Sequence, residues 1–384
     1  LNNAAHVAFA RVLVKWHGGC FLKEFVTHLL RPKEALVITY QAPIQHRDLN
    51  TLFSNARHFK SMHAVNEFSR DGNDAFSIRS VLVPLDGTNL GEHALPYALS
   101  VVKRTGAVLH LVHADSRLDN VEPWQMMLSD DAVARRVGAK RQYLQDVARR
   151  IARKHDVEIK TLLIDMGSTG IGVNFAAEVV DLVVMASRRL SRFRSLWSLS
   201  VADEIRRQLD CPILLVEGSP AAADLQADPA MKHLLLPLDG AAGSERILVP
   251  AVAIGRTTDA SMTLLNVQNR DVSRGRFEHS SPAGYLLGMA KMVRGKMPNV
   301  KAQMLVTSDN VCDAITDYAL QHDVDLIGVT TENRHSLSRF LRGSLADALL
   351  RNTGVPILLL GPAPREESPK LLTVYPQFAE HGSN

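Results

Sequence analysis

Aromatic residues make up only 5% of this 384-residue chain, and it has three cysteines, Cys20, Cys211 and Cys312, none in a C-x-x-C pair. So few thiols, so far apart, exclude a disulfide framework or a cysteine zinc site and point to a reducing, cytoplasmic setting. No apolar run approaches the roughly 20 residues of a membrane-spanning helix, so a soluble protein without a membrane partner is expected. The motifs G-x-S-x-G, H-E-x-x-H and G-x-x-x-x-G-K-S/T are absent, which leaves no nucleophile or metal centre to assign. Excess charge is missing from the body of the chain as well. Although the pI is about 9.0, eight of the 44 Lys and Arg but only three of the 40 acids fall in residues 1–61, leaving 36 basic against 37 acidic residues beyond them. The electrostatic case for a nucleic-acid partner goes with that surplus.

What is present is an apolar content of 46%, enough for two α/β cores, and an internal repeat. Asp181-Leu-Val-Val-Met-Ala186 reads as a buried strand, followed by an Arg- and Ser-rich loop, a helix opening at Ser200, and the strand Cys211-Pro-Ile-Leu-Leu-Val216. Asp325-Leu-Ile-Gly-Val-Thr330, Ser344 and Val355-Pro-Ile-Leu-Leu-Leu360 restate the series, with Asp181/Asp325, Ser200/Ser344 and Pro212/Pro356 each 144 residues apart. Upstream, Val81-Leu-Val-Pro-Leu-Asp86-Gly87 returns as Leu234-Leu-Leu-Pro-Leu-Asp239-Gly240, now at an offset of 153. Apolar strand runs alternate with helical periodicity in both copies, which predicts parallel sheets covered on both faces.

The domain reading follows: residues 78–218 and 231–362 form two α/β units, 219–230 an Ala-, Pro- and Asp-rich linker, and 363–384 a loose tail. Residues 1–77 show broken periodicity, six of the fifteen histidines and no Met before Met62. They are expected to be a flexible extension or a stretch upstream of the natural start, with an acid-poor targeting segment as the alternative.

In an open parallel sheet, ligands bind beyond the carboxyl ends of the strands, where strand order reverses. Asp86 and Asp239 end first strands, and the loops reaching Ser200 and Ser344 follow fourth strands, so each pair is expected to converge on one crevice. A carboxylate there suits a ribose or base, while a glycine loop and a helix N-terminus suit phosphates. The structural alternative is that Asp86 and Asp239 serve turn chemistry.

These segments resemble the universal stress protein family, duplicated within one chain: the tandem P-L-D-G strands, the D-L-I and D-L-V fourth strands, Gly343-Ser-Leu-Ala-Asp347 and the C-P-I-L-L-V and V-P-I-L-L-L closing strands. The resemblance implies two tandem Rossmann-like domains, each a five-stranded parallel sheet with helices on both faces. It also implies pairing of the two units through their last strands as an intramolecular pseudo-dimer, with a homodimer of the chain compatible with it. Protein partners are not specified.

The ATP-binding branch of the family carries G-x-x-G, nine residues, then G-S or G-T. In the second copy these positions are Thr330, Asn333, Gly343 and Ser344, of which the last two match. In the first they are Ala186, Arg189, Leu199 and Ser200, of which only the serine matches, so that site, with Asp86, is expected to be silent. The candidate set for ATP or another adenine nucleotide is therefore Asp239, Val267, Thr330, Asn333, Gly343 and Ser344, with charge from Arg334, Arg339 and Arg342. In the structural alternative Gly343 ends the loop, Ser344 merely caps a helix and the arginines are solvated. The expected function is a non-enzymatic stress-response or nucleotide-sensing module. The alternative is a slow ATPase or nucleotidyl-transfer enzyme, which needs a base or metal-holding carboxylate near the γ-phosphate, where only Asp239 offers itself.

Two weaker signals remain. His110 and His113, expected to face the same side of one strand, suggest a metal pair, but no third ligand is evident, and buried strand histidines are the plainer reading. Gly167-Ser-Thr-Gly-Ile-Gly172 follows a third strand and lacks the downstream acid of a dinucleotide fingerprint, so it reads as a turn.

Overall fold

The computed structural model describes residues 25–30, 35–40, 77–115, 130–165, 180–188, 211–240, 243–269, 282–330 and 345–361. Two strands come first, β1 (Phe25–Leu30) and β2 (Ala35–Tyr40). The first unit contains β3 (Ser80–Pro84), α1 (Asn89–Glu92), α2 (Ala94–Thr105), β4 (Val108–Asp115), α3 (Asp130–Ala152), β5 (Ile159–Asp165), β6 (Leu182–Arg188) and β7 (Ile213–Gly218). The second contains β8 (His233–Pro237), a 3-10 turn (Ser244–Ile247), α4 (Leu248–Thr258), β9 (Ser261–Asn269), α5 (Pro282–Arg294), β10 (Val300–Thr307), α6 (Val311–Gln321), β11 (Leu326–Thr330), α7 (Leu345–Thr353) and β12 (Ile357–Leu360).

All these strands join one twelve-stranded sheet in the order β1-β2-β10-β9-β8-β11-β12-β7-β6-β3-β4-β5. Each unit contributes five parallel strands, ordered third, second, first, fourth, fifth. The period-two geometry of a strand divides its side chains between two cores. Val81, Val83 and Leu85 enter one with Leu234, Leu236 and Leu238, while Leu82 and Leu235 enter the other. Both cores run through both units, α2 and α4 covering the first and α6 and α7 the second.

The seam between the units is antiparallel: β12 pairs with β7 through Ile357↔Leu215, Leu358↔Leu214 and Leu359↔Ile213. All six residues are buried. An apolar closing strand left as an edge would offer unpaired backbone groups to other chains, and each unit covers the other's.

Of the stretch before residue 77, expected to be a loose extension, only residues 25–30 and 35–40 are described. Its described residues are strand: β1 and β2 form an antiparallel pair, and β2 continues the sheet against β10 through Met304↔Ile38 and Leu305↔Val37. Ala35-Leu-Val-Ile-Thr-Tyr40 is rich in β-formers, but six residues are too few to stand out beside irregular neighbours. The linker is also fastened. Arg104 grips Asp228 through two hydrogen bonds of 2.7 Å, Ser100 donates to the Pro229 carbonyl at 2.9 Å, and Leu225 is buried in the first core.

Candidate functional site

The strand order places a reversal in each unit, between β3 and β6 in the first and between β8 and β11 in the second. Asp86 and Asp239 follow β3 and β8 at these points, so each acid lies at the mouth of its own crevice.

The two acids differ in how the local chain treats them. Asp86 is half-buried and its Oδ1 accepts from the Thr88 amide at 2.9 Å and the Thr88 hydroxyl at 2.7 Å, closing an Asx turn. Gly87 holds a φ of +83°, and a Cβ on Gly91 would lie 2.7 Å from Asp86 Oδ1, so glycine there admits the carboxylate against α1. In the second unit Asp239 is exposed and Gly240 keeps the positive φ (+78°), while the repeat offset of the sequence sets Ala241 against Thr88.

Of the other candidates, Val267 and Thr330 are half-buried at the carboxyl ends of β9 and β11. The fold therefore brings Asp239, Val267 and Thr330 to one edge of the second sheet. Asn333, Gly343, Ser344 and Ser200 lie outside the described residues, as do the three arginines and Gly167–Gly172. The repeated acids Asp181 and Asp325 sit at the opposite end of the strands. Asp181 Oδ2 accepts from the amides of Arg79 (2.8 Å) and Ser80 (3.0 Å), and Asp325 Oδ2 from those of Lys232 and His233 (both 2.9 Å), each fastening the start of a first strand.

His110 and His113 do not form a pair: three residues apart in β4, they project to opposite faces. Burial, and next the Lys160 charge, lower the His110 pKa, while buried His113 meets Tyr143 edge-on at 6.1 Å between ring centroids.

Sequence reading missed a feature present in both crevices. Glu92 and Glu245, each six residues after the strand-end Asp, are 5% and 2% exposed. Tyr143 of α3 donates to Glu92 Oε1 at 3.1 Å, and Tyr285 of α5 to Glu245 Oε1 at 2.7 Å. Burial, and next the partner carboxyl, push both phenols far above the ordinary tyrosine range. Arg150 adds a 2.7 Å contact to Glu92. The spacing D-G-x-x-x-x-E, shared by Asp86-Gly87 to Glu92 and Asp239-Gly240 to Glu245, was the available signal. In each unit the pair braces the strand-one turn against the helix between strands two and three.

The model of the universal stress protein family matches residues 77–217 and 231–361. The chain belongs to the universal stress protein family. Among solved structures, a universal stress protein from Archaeoglobus fulgidus DSM 4304 is 17% identical, with 75% of this chain and 97% of that chain covered and a TM-score of 0.53. A member of the family from Burkholderia pseudomallei is 24% identical, covering 39% of this chain and 100% of that one, with a TM-score of 0.26. A universal stress protein in complex with cAMP is 15% identical, covering 35% of this chain and 99% of that one, with a TM-score of 0.29. Among curated proteins nothing matches. Likeness at these identities concerns the fold, and this universal stress protein is its tandem form: two family units sharing one sheet. Among the described residues no helix is long and apolar enough to cross a membrane.

Proposed function

We propose that this tandem universal stress protein is a non-enzymatic stress-response module of the cytoplasm that takes an adenine nucleotide in the crevice of its second unit. The contrast between the two acids carries the reading. Asp86 is half-buried against its own turn, whereas Asp239 is solvent-exposed at the sheet edge that also carries Val267 and Thr330, where strand order reverses. In this reading Asp239 accepts from the ribose or base, Val267 packs against the base, and the segment from Thr330 through Asn333 to Gly343 and Ser344 receives phosphates, with ATP as the leading ligand. The first site, with Leu199 for glycine, stays silent. The units pair within the chain and signal through protein partners.

Calorimetric titration with ATP tests this. Asp239→Ala should weaken binding about tenfold or more, the worth of one well-made hydrogen bond to a charged group, and Asp86→Ala should leave it unchanged. No phosphate should be released. Loss of binding in Asp86→Ala alone would overturn the assignment, and steady phosphate release abolished by Asp239→Ala would make the protein an ATPase.

A further inference from the structure

A cavity of about 440 Å³ opens at the other end of the second sheet, where β8, β9 and β10 begin and α6 ends. That volume falls within the range of small-molecule sites, about 300–1,000 Å³. The carboxyl-end crevice lies a full strand length away.

The floor of the cavity is polar and buried: Tyr318, Thr263 and Gln303 are 1%, 2% and 8% exposed. Their groups are linked in a chain. His233 Nδ1 donates to the His322 carbonyl at 2.9 Å, which leaves Nε2 facing the Thr263 hydroxyl at 3.0 Å. The Tyr318 hydroxyl donates to Gln303 Oε1, and its ring stacks on His322 with centroids 3.9 Å apart and planes within 8°. Desolvation pushes the Tyr318 phenol up to about 12, so it remains a donor at neutral pH. At the rim stand two exposed cations, Lys232 and Lys301, with Ser261 between and one acid, Asp323. The nearby Asp325 carboxylate is occupied by the backbone amides of residues 232 and 233.

The first unit shows that the fold does not require this lining. Strand register aligns Ser261 with Val108, Thr263 with His110, and Gln303 with Leu162. Two of the three polar positions are apolar in the copy, although the sheet, order and register are the same. Of these, Gln303 is the position that is buried here and apolar in the copy; a buried amide demands hydrogen-bond partners that a leucine in the same place does not, so this polar floor is particular to the second unit and points to use.

We propose that this cavity is a second ligand site, taking a small phosphorylated polyol of the sugar-phosphate class. Lys232 and Lys301 hold the phosphate at the rim as point charges. Ser261, the Thr263–Tyr318–Gln303 floor and Asp323 exchange hydrogen bonds with the hydroxyls. The single rim acid favours a hydroxyl-bearing monoester over a polyanion, which separates this ligand from a nucleoside triphosphate.

Titration of the full chain with ribose 5-phosphate, inorganic phosphate and ribose, followed by calorimetry and amide NMR, tests the proposal. Ribose 5-phosphate should bind more tightly than either fragment. Lys232→Ala and Lys301→Ala should each weaken it about tenfold or more, the worth of a hydrogen bond to a charged group. Both lysines are exposed, so these variants keep the fold. Gln303→Leu, which installs the residue of the first unit, should weaken ribose 5-phosphate more than inorganic phosphate. Asp239→Ala should change nothing, because that acid belongs to the other end of the sheet. No binding at millimolar ligand, equal affinity for inorganic phosphate, or unaltered affinity in both lysine variants would overturn the proposal. So would loss of binding in Asp239→Ala, which would place the anion in the carboxyl-end crevice.

Discussion

Replacing Tyr285 and Tyr143 by phenylalanine, one at a time, removes the same oxygen from equivalent places in the two units and should produce unequal losses. Glu245 is 2% exposed, and among the described residues the Tyr285 hydroxyl donates to its Oε1 at 2.7 Å. Taking that donor away leaves a buried carboxyl oxygen desolvated without its bond, a cost of about 1–3 kcal/mol. In the first unit Tyr143 sits farther from Glu92, at 3.1 Å, and Arg150 remains at 2.7 Å. The loss there should be nearer the net value of one hydrogen bond, about 0.5–1.5 kcal/mol. Register explains the difference: Arg150 follows Tyr143 by seven residues on α3, and Met292 follows Tyr285 by seven on α5. Urea denaturation followed by circular dichroism reads the midpoints, and unchanged slopes confirm that midpoint shifts report stability. Adding Glu245→Gln to Tyr285→Phe should recover part of the loss, since a neutral amide is less costly to bury without a partner than a group that carries charge. Equal losses, or a larger one for Tyr143→Phe, would refute the bracing role assigned to these pairs.

Two further substitutions probe packing and the linker. A Cβ at Gly328 in β11 would press on Leu236 Cδ2 and come within 3.0 Å of Ile247 Cγ1, both fully buried. Gly328→Ala should therefore destabilise by about 1–2 kcal/mol in the same urea assay, overpacking outweighing the reduced entropy of the unfolded chain; a neutral or stabilising result would refute the close packing. The Arg104 hydrogen bond holds the Asp228 pKa down to about 2 from its ordinary 3.8. Because the folded value is the lower one, the contribution is complete above the unfolded pKa and is lost as pH falls towards about 2. With the carboxylate 44% exposed, solvent screening limits it to roughly 0.5–1 kcal/mol. The deficit of Asp228→Asn relative to wild type should thus be largest at neutral pH and shrink between about pH 4 and 2; a constant deficit would show that the clamp is not electrostatic.

The amino-acid sequence by itself determined the duplication, the alternation of strands and helices, and the strand-end positions of Asp86 and Asp239. These depend on local periodicity and constant offsets, which a linear string carries in full. The pairing of the closing strands was also legible, because two wholly apolar strands cannot both remain sheet edges. Tertiary structure decided what depends on residues far apart meeting. The Thr88 turn that draws Asp86 inward needed only neighbours, yet its meaning emerged beside the exposed Asp239. Glu92 and Glu245 looked like ordinary helix-turn acids until tyrosines 51 and 40 residues away were seen against them. The pairing of Ala35–Tyr40 with β10 and the cavity gathered from β8, β9, β10 and α6 left no period in the sequence. Packing partners are selected by shape and burial across the whole molecule, so only the folded chain specifies them.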